Sequence, residues 1–183
     1  MKAITAILMT LILAGSISVQ TGLAQEQEAL MSFRANPGKL TSALPSEAPD
    51  GYEKLDQWID TSSYSPVFVV VRFSKPVKVD AGDDQGIIDL ASVIEVSIGD
   101  HAGFNSMLEP AIRADYNYQK KVKVKGKFDG RESVSSNNKL CIGSEKVFVV
   151  NNRYLVNVNS SYMCDLTVLD QIIDYMDLDK LLE

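Results

Sequence analysis

Val147-Phe148-Val149-Val150-Asn151-Asn152-Arg153-Tyr154-Leu155-Val156-Asn157-Val158 is the stretch on which the fold class turns. Two β-branched and aromatic runs flank an Asn-Asn pair, and asparagine tolerates the positive φ of a tight hairpin turn. The segment reads as two antiparallel strands joined by a two-residue turn. With Val150 opposite Arg153, Cys141 faces Tyr162 across the hairpin, and Cys164 lies two residues further along the same face. A bond between the two cysteines then needs a bulge or a change of register, and Gly143-Ser144 offers a place for it. Cys141 and Cys164 are the chain's 2 cysteines, and an even pair in an oxidising compartment is expected to close. The chain-entropy model credits such a bridge with about 3 kcal/mol. No Cys-x-x-Cys is present and two cysteines fall short of a metal-ligand set, so neither redox activity nor a zinc site is expected.

Outward from the hairpin, elements of both kinds appear. Asp165 suits an N-cap, and Leu166, Leu169, Ile172, Ile173 and Met176 form the core stripe of a last helix. Leu178, Leu181 and Leu182 continue in a terminal turn. Upstream, Val122 and Val124 alternate with Lys121, Lys123 and Lys125 as a strand does. Phe104, Met107, Leu108, Ala111 and Ile112 make a helical face that Pro110 kinks or splits. Ile87 to Ile98 is a strand, half-buried where Ile94, Val96 and Ile98 alternate with Glu95 and Ser97. Pro66 to Phe73 is an unbroken β-branched and aromatic run, which predicts burial on both faces and a central place in the sheet. Tyr52, Leu55, Trp58 and Ile59 recur at helical spacing. Leu40 to Asp50, with Pro45 and Pro49, reads as an extended surface segment. Gln25 to Ala35 reads as a helix stopped by Asn36-Pro37-Gly38. Strands and helices do not alternate strictly and the hairpin is antiparallel. The expected class is therefore α+β, an antiparallel sheet with helices packed on it.

The N-terminus reads as an export leader. Lys2 is the only charge before Glu26, and Ala3 to Ala14 is an apolar stretch of the length of a signal h-region. The more polar Gly15 to Thr21 leads into Gly22-Leu23-Ala24, whose small residues suit signal peptidase after Ala24. Ser16-Ile17-Ser18 has the same shape and offers a second cut. An uncleaved anchor is the alternative, because Ala3 to Gln25 carries no charge. The strongly apolar part is, however, shorter than the roughly 20 residues of a spanning helix. Residues 1–24 are thus the expected signal peptide and 25–183 a single domain, periplasmic or secreted, with no stable membrane insertion after cleavage. Cleavage removes one of the 18 basic residues and none of the 24 acidic ones, taking the formal net charge from −6 to about −7. That sign argues against nucleic acid or an anionic membrane as the main partner.

Few residues offer chemistry. His101 is the single histidine and lies beside Asp100 at a strand-to-helix junction, where a general base or metal ligand can be presented. A solvent-exposed or capping histidine is the plainer expectation. Asp80-Ala81-Gly82-Asp83-Asp84-Gln85-Gly86 is rich in oxygen ligands suited to Ca²⁺, yet lacks the alternating acids and terminal Glu of an EF-hand, and reads as a solvated turn. Lys121, Lys123, Lys125 and Lys127 form a stripe on one strand face, with Lys120 and Arg131 nearby. Lysines there block edge-to-edge pairing, and they are also the best sequence candidate for a contact surface. Asn159-Ser160-Ser161 matches a glycosylation sequon, of consequence only in a eukaryotic source.

The order of elements resembles the Mog1/PsbP-like fold group. It has an N-terminal helix, a Leu-Pro segment before an aromatic (Leu44-Pro45 to Gly51-Tyr52), and a meander of antiparallel strands. Lys125-Gly126-Lys127 precedes the hairpin with Asn152-Arg153-Tyr154-Leu155-Val156, and the tail runs from Leu166 to Met176 into Asp177-Leu178-Asp179-Lys180-Leu181. The chain looks like small secreted bacterial proteins of that group. The resemblance implies an α/β/α sandwich and a non-enzymatic accessory or binding role, and assigns no functional residue. The expected function is a non-catalytic, exported binding or accessory domain of the cell envelope acting through a protein partner, with no cofactor. The alternatives are a metal-dependent or hydrolytic enzyme using Asp100, His101 and the Asp80–Gly86 loop, and an inhibitor or immunity protein against an envelope-acting enzyme.

Overall fold

A computed structural model describes residues 35–61, 66–80, 86–102, 105–115, 118–137 and 140–183, apart from the side chains of Asp80 and Asn105. The expected leader, the helix expected from Gln25 as far as residue 34, and residues 81–85 of the acidic loop lie outside the described residues. Among the described residues, seven strands form one sheet: β1 (Glu53–Asp60), β2 (Val67–Asp80), β3 (Ile87–Asp100), β4 (Gln119–Val124), β5 (Phe128–Asn137), β6 (Leu140–Val150) and β7 (Tyr154–Ser161). Their order is β1-β2-β3-β7-β6-β5-β4, with every neighbouring pair antiparallel. Two meanders, β1 to β3 and β4 to β7, meet where β3 pairs with β7. The α+β expectation is met.

Strand alternation gives the sheet two unlike faces. One face buries Val69, Val71, Phe73, Ile94, Val96, Ile98, Val156, Val158, Phe148 and Val150. Helix α3 (Leu166–Asp174) packs on β6 and β7 of this face, and helix α1 (Pro37–Ser42) packs on β2 and on the 3₁₀ turn Leu178–Leu181. Asp165 caps α3 as expected, accepting the Thr167 N–H at 2.9 Å, while Leu169, Ile172 and Ile173 point into the core. Among the described residues, the other face is covered only at one end. The connection from β3 to the far edge strand β4 passes through a 3₁₀ turn, Asn105–Met107, and helix α2 (Leu108–Ile112), which packs on β5 and β6. The helical segment is split ahead of Leu108, and Pro110 sits in the first turn of α2, where its missing N–H leaves no bond unmade. Helices thus lie on both faces, but very unequally.

The N-terminal part departs from the sequence-based expectations. Asn36-Pro37-Gly38 starts a helix instead of stopping one. Asn36 Oδ1 accepts the Gly38 N–H at 2.8 Å, and Pro37 takes the first helical position. Leu40, Ala43 and Leu44 then enter the core, so Leu40 to Asp50 is not an extended surface segment. Tyr52 to Ile59 leads into edge strand β1 and is not helical. The pairing with β2 shifts register between Lys54 and Asp56. This bulge at Leu55 breaks the two-residue alternation, so that apolar residues three apart imitate a helix. Strand β2 is one in from the edge, not central; the middle strand is β7, which alternates buried and half-buried positions along its length.

The hairpin is real, with a longer turn than expected. Val150 pairs with Tyr154, leaving Asn151, Asn152 and Arg153 in the turn. Asn151 and Asn152 adopt φ 54° and 48°, and the Arg153 N–H donates to Val150 O at 3.1 Å. The Cys141–Cys164 disulfide is present, its Cα atoms 5.8 Å apart. Its geometry is supplied just outside Gly143-Ser144: the β5–β6 register skips Ile142, Tyr162 turns back with φ 53°, and its N–H donates to Ile142 O at 2.8 Å.

Candidate functional site

Asp100 and His101, the sequence candidates for catalysis, are both buried. Asp100 Oδ1 accepts Arg153 Nε at 2.7 Å and the Ala102 N–H at 3.0 Å; Oδ2 accepts Arg153 Nη2 at 2.8 Å and the Ala35 N–H. Burial pushes this carboxyl up, but the bonds from Arg153, Ala35 and Ala102 outweigh it and hold it below the usual carboxylate range. Asp100 therefore ties the end of β3 to the β6–β7 turn and to Ala35. Its oxygens are committed to structure.

His101 is 5% exposed, which corrects the expectation of a solvent-exposed or capping residue. Its backbone N–H donates to Arg153 O at 3.0 Å, and its ring stands edge-on to Phe68 with centroids 5.8 Å apart. Gly99 makes the room, since a Cβ there would lie 2.4 Å from Phe68 Cε1 and 3.1 Å from His101 Nε2. Neither ring nitrogen has a hydrogen-bond partner among the described residues. Burial pushes the imidazole pKa down, and the charge of Asp100 opposes that only in part. A general base must reach the proton that it removes, and this imidazole is walled in.

The lysines divide between a strand and a turn. Lys121 and Lys123 lie on the edge strand β4, as expected of residues that guard an edge. Lys125 and Lys127 belong to the β4–β5 turn, where Lys125 adopts φ 47° and the Lys127 N–H donates to Val124 O at 3.0 Å. Lys123 meets Asp129 at 2.6 Å, Lys125 meets Asp174 at 3.8 Å and Lys127 meets Asp179 at 3.8 Å. Lys123, Lys125 and Lys127 thus make local ion pairs, while Lys121, Lys123 and Lys125 line one shallow cavity with Lys120. Lys146, which sequence reasoning passed over, is buried and pairs with Glu132 and with Asp170 of α3. Among the described residues no group of three or more His, Cys, Asp or Glu side chains is placed to hold a metal ion.

The arrangement that the sequence did not reveal lies on the open face. Direct cross-strand partners form one row through the whole sheet: Asp56, Arg72, Glu95, Asn159, Glu145, Ser133 and Gln119. Every member is polar, and a groove of about 540 Å³ follows its middle, lined by Arg72, Glu95, Asn159, Glu145 and Ser133 among others. Gly143 lines it where the strands approach so closely that a Cβ would come within 2.1 Å of Ser160 O.

The charges in the row are unequally satisfied. Arg72 leans to the sheet edge, donating from Nε to Asp56 Oδ1 at 2.9 Å and from Nη2 to Oδ2, with its guanidinium 5.0 Å from the centre of the Trp58 ring. Glu145 accepts Arg131 Nη1 at 2.6 Å and Asn157 Nδ2 at 3.4 Å, and Arg131 is itself held by Ala111 O at 2.9 Å. Glu95 sits half-buried between these two pairs, and among the described residues it accepts no hydrogen bond. Alternation alone marked Glu95 and Ser97 as the outward side of β3. Only the register of all seven strands brings Arg72, Glu95, Asn159 and Glu145 into one line.

Comparison with protein-family models, with curated proteins and with solved structures finds no match.

Proposed function

We propose that this chain is a non-catalytic, exported binding or accessory domain of the cell envelope, and that it docks a protein partner on the open face of its sheet. The observation that carries this reading is the polar row with its groove. Strand positions facing solvent need only be polar, yet here charges, an amide and a hydroxyl form a concave, rigid surface away from the helical layer. The disulfide fits an oxidising compartment, and no helix among the described residues is long and apolar enough to cross a membrane. Both support a periplasmic or secreted location. The burial of Asp100 and His101 argues against the enzymatic alternative. The fold reading that accompanies this function is the α/β/α sandwich of the Mog1/PsbP-like group, supported by the helices α3 and α2 on opposite faces of β6.

A photo-crosslinking residue at Ser135, on the exposed wall of the groove, tests the docking reading against the same residue at Thr167 on α3. A discrete adduct from position 135 and none from 167 is expected in the exported protein. Equal adducts from both positions, or none from 135, overturn it.

A further inference from the structure

We infer that the partner delivers a basic side chain, lysine or arginine, to Glu95 at the floor of the groove. This rests on the docking reading and specifies its chemistry. In the row, Asp56 neutralises Arg72 and Arg131 neutralises Glu145. Glu95 accepts no hydrogen bond and makes no close ion pair among the described residues, the charge of Arg72 reaching it only at longer range, and it sits near the middle of the sheet on a strand paired on both sides. Arg72 is its direct cross-strand neighbour and the nearest cation in register, but the bidentate bond to Asp56 and the Trp58 ring draw that guanidinium to the edge.

The surroundings select the same ligand. Asn159 lies directly between Glu95 and Glu145, so an incoming cation meets one full carboxylate, the outer field of a second, and an amide oxygen able to accept a further N–H. Ser133, Ser135 and Ser161 line the same groove and offer hydroxyl acceptors for the remaining donors of an ammonium or guanidinium. An anionic ligand would meet two carboxylates across one amide and be repelled. An apolar ligand would have to desolvate Glu95 with nothing in return. A charge-assisted bond from Lys or Arg restores the balance of the row and, half-buried, is screened by salt less than a surface pair.

The test uses the disulfide-intact exported chain and three capped tripeptide amides, Gly-Lys-Gly, Gly-Arg-Gly and Gly-Gln-Gly, followed by backbone amide NMR shifts. The basic peptides are expected to bind with Kd on the order of 1 mM, with shifts concentrated at Glu95, Asn159, Glu145 and Ser133. Glu95→Gln should weaken them by about tenfold or more, while Glu53→Gln on the edge strand leaves them unchanged. Shifts that persist in Glu95→Gln, that the neutral peptide reproduces, or that scatter over the acidic surface would overturn the inference. A Ser135 crosslink that survives Glu95→Gln at full yield also overturns it and leaves the docking reading standing. Peptide shifts at Glu95 with no crosslink in the parent protein have the opposite meaning: the cation site stands and docking fails.

Discussion

Two rows of residues cross the same sheet, one on each face. On the covered face Ile59, Val69, Ile98, Val156, Phe148, Gly130 and Val122 stand in register; on the open face Asp56, Arg72, Glu95, Asn159, Glu145, Ser133 and Gln119 do. The backbone treats them alike, since the same antiparallel ladder holds both. They differ in what the fold demands of them. Val69, Ile98, Val156 and Phe148 are each fully buried beneath the helical layer, so their identity is set by packing. No helix among the described residues lies over Glu95 or Asn159, and folding asks of them little more than polarity. Where such positions carry a specific constellation, the cause has to be sought outside the fold.

The largest effect that can break this contrast is expected at Phe148. Its ring is stacked on Phe128 with centroids 6.0 Å apart and is shut from solvent. Phe148→Ala should cost about 3–5 kcal/mol in urea unfolding, from lost transfer energy and the cavity left behind. A cost below about 1 kcal/mol would show that the covered face is loosely packed, and the distinction between the faces would lose its basis.

His101 sharpens the comparison at a closed corner of the open face, against Phe68 and Gly99. Its pKa is lowered in the folded state, chiefly by burial, so the unfolded chain takes up the proton first as the pH falls. Stability is then fully present above the unfolded value of about 6.5 and declines on acidification until the folded value is passed, with a limiting slope of about 1.4 kcal/mol per pH unit. The lowered pKa of Asp100 adds a further loss, but only below about pH 4. His101→Leu should therefore flatten the stability profile just below pH 6.5 and leave the more acidic decline. Parallel profiles for the variant and its parent, measured by urea unfolding at stepped pH, would show that the imidazole titrates freely.

Sequence legibility follows the same division. The α+β class, the hairpin, the Asp165 cap, the stripe of α3 and the cysteine pair were all readable, because each depends on local chemistry or on alternation under one buried face. Errors arose where tertiary context overrode it. A bulge at Leu55 disguised β1 as a helix, and Asn36-Pro37, good stop residues, served as a cap and first turn. His101 looked exposed because nothing local announces that Phe68, thirty-three positions earlier, will meet it across Gly99. The row was illegible for a stronger reason. Arg72, Glu95, Asn159 and Glu145 come from four strands, and a one-residue slip in any pairing would scatter them between faces.

The smallest expected effect is the most discriminating, because it uses adjacent positions of one strand. Val158 and Asn159 differ by a single step along β7, yet Val158 is sealed under the helical layer while Asn159 looks out between Glu95 and Glu145. Asn159→Lys places a cation directly across from two carboxylates. Cross-strand pairs of opposite charge contribute about 0.2–1 kcal/mol, so a small gain in stability is expected, reduced by added salt, and the basic tripeptides should no longer shift the groove residues. Lysine at Val158 would instead bury an ammonium in an apolar layer and be destabilising. If Asn159→Lys were destabilising by more than about 1 kcal/mol, the charges of Glu95 and Glu145 would have to be balanced already within the fold. The row would then be a structural ladder, with no unmet charge to offer a partner.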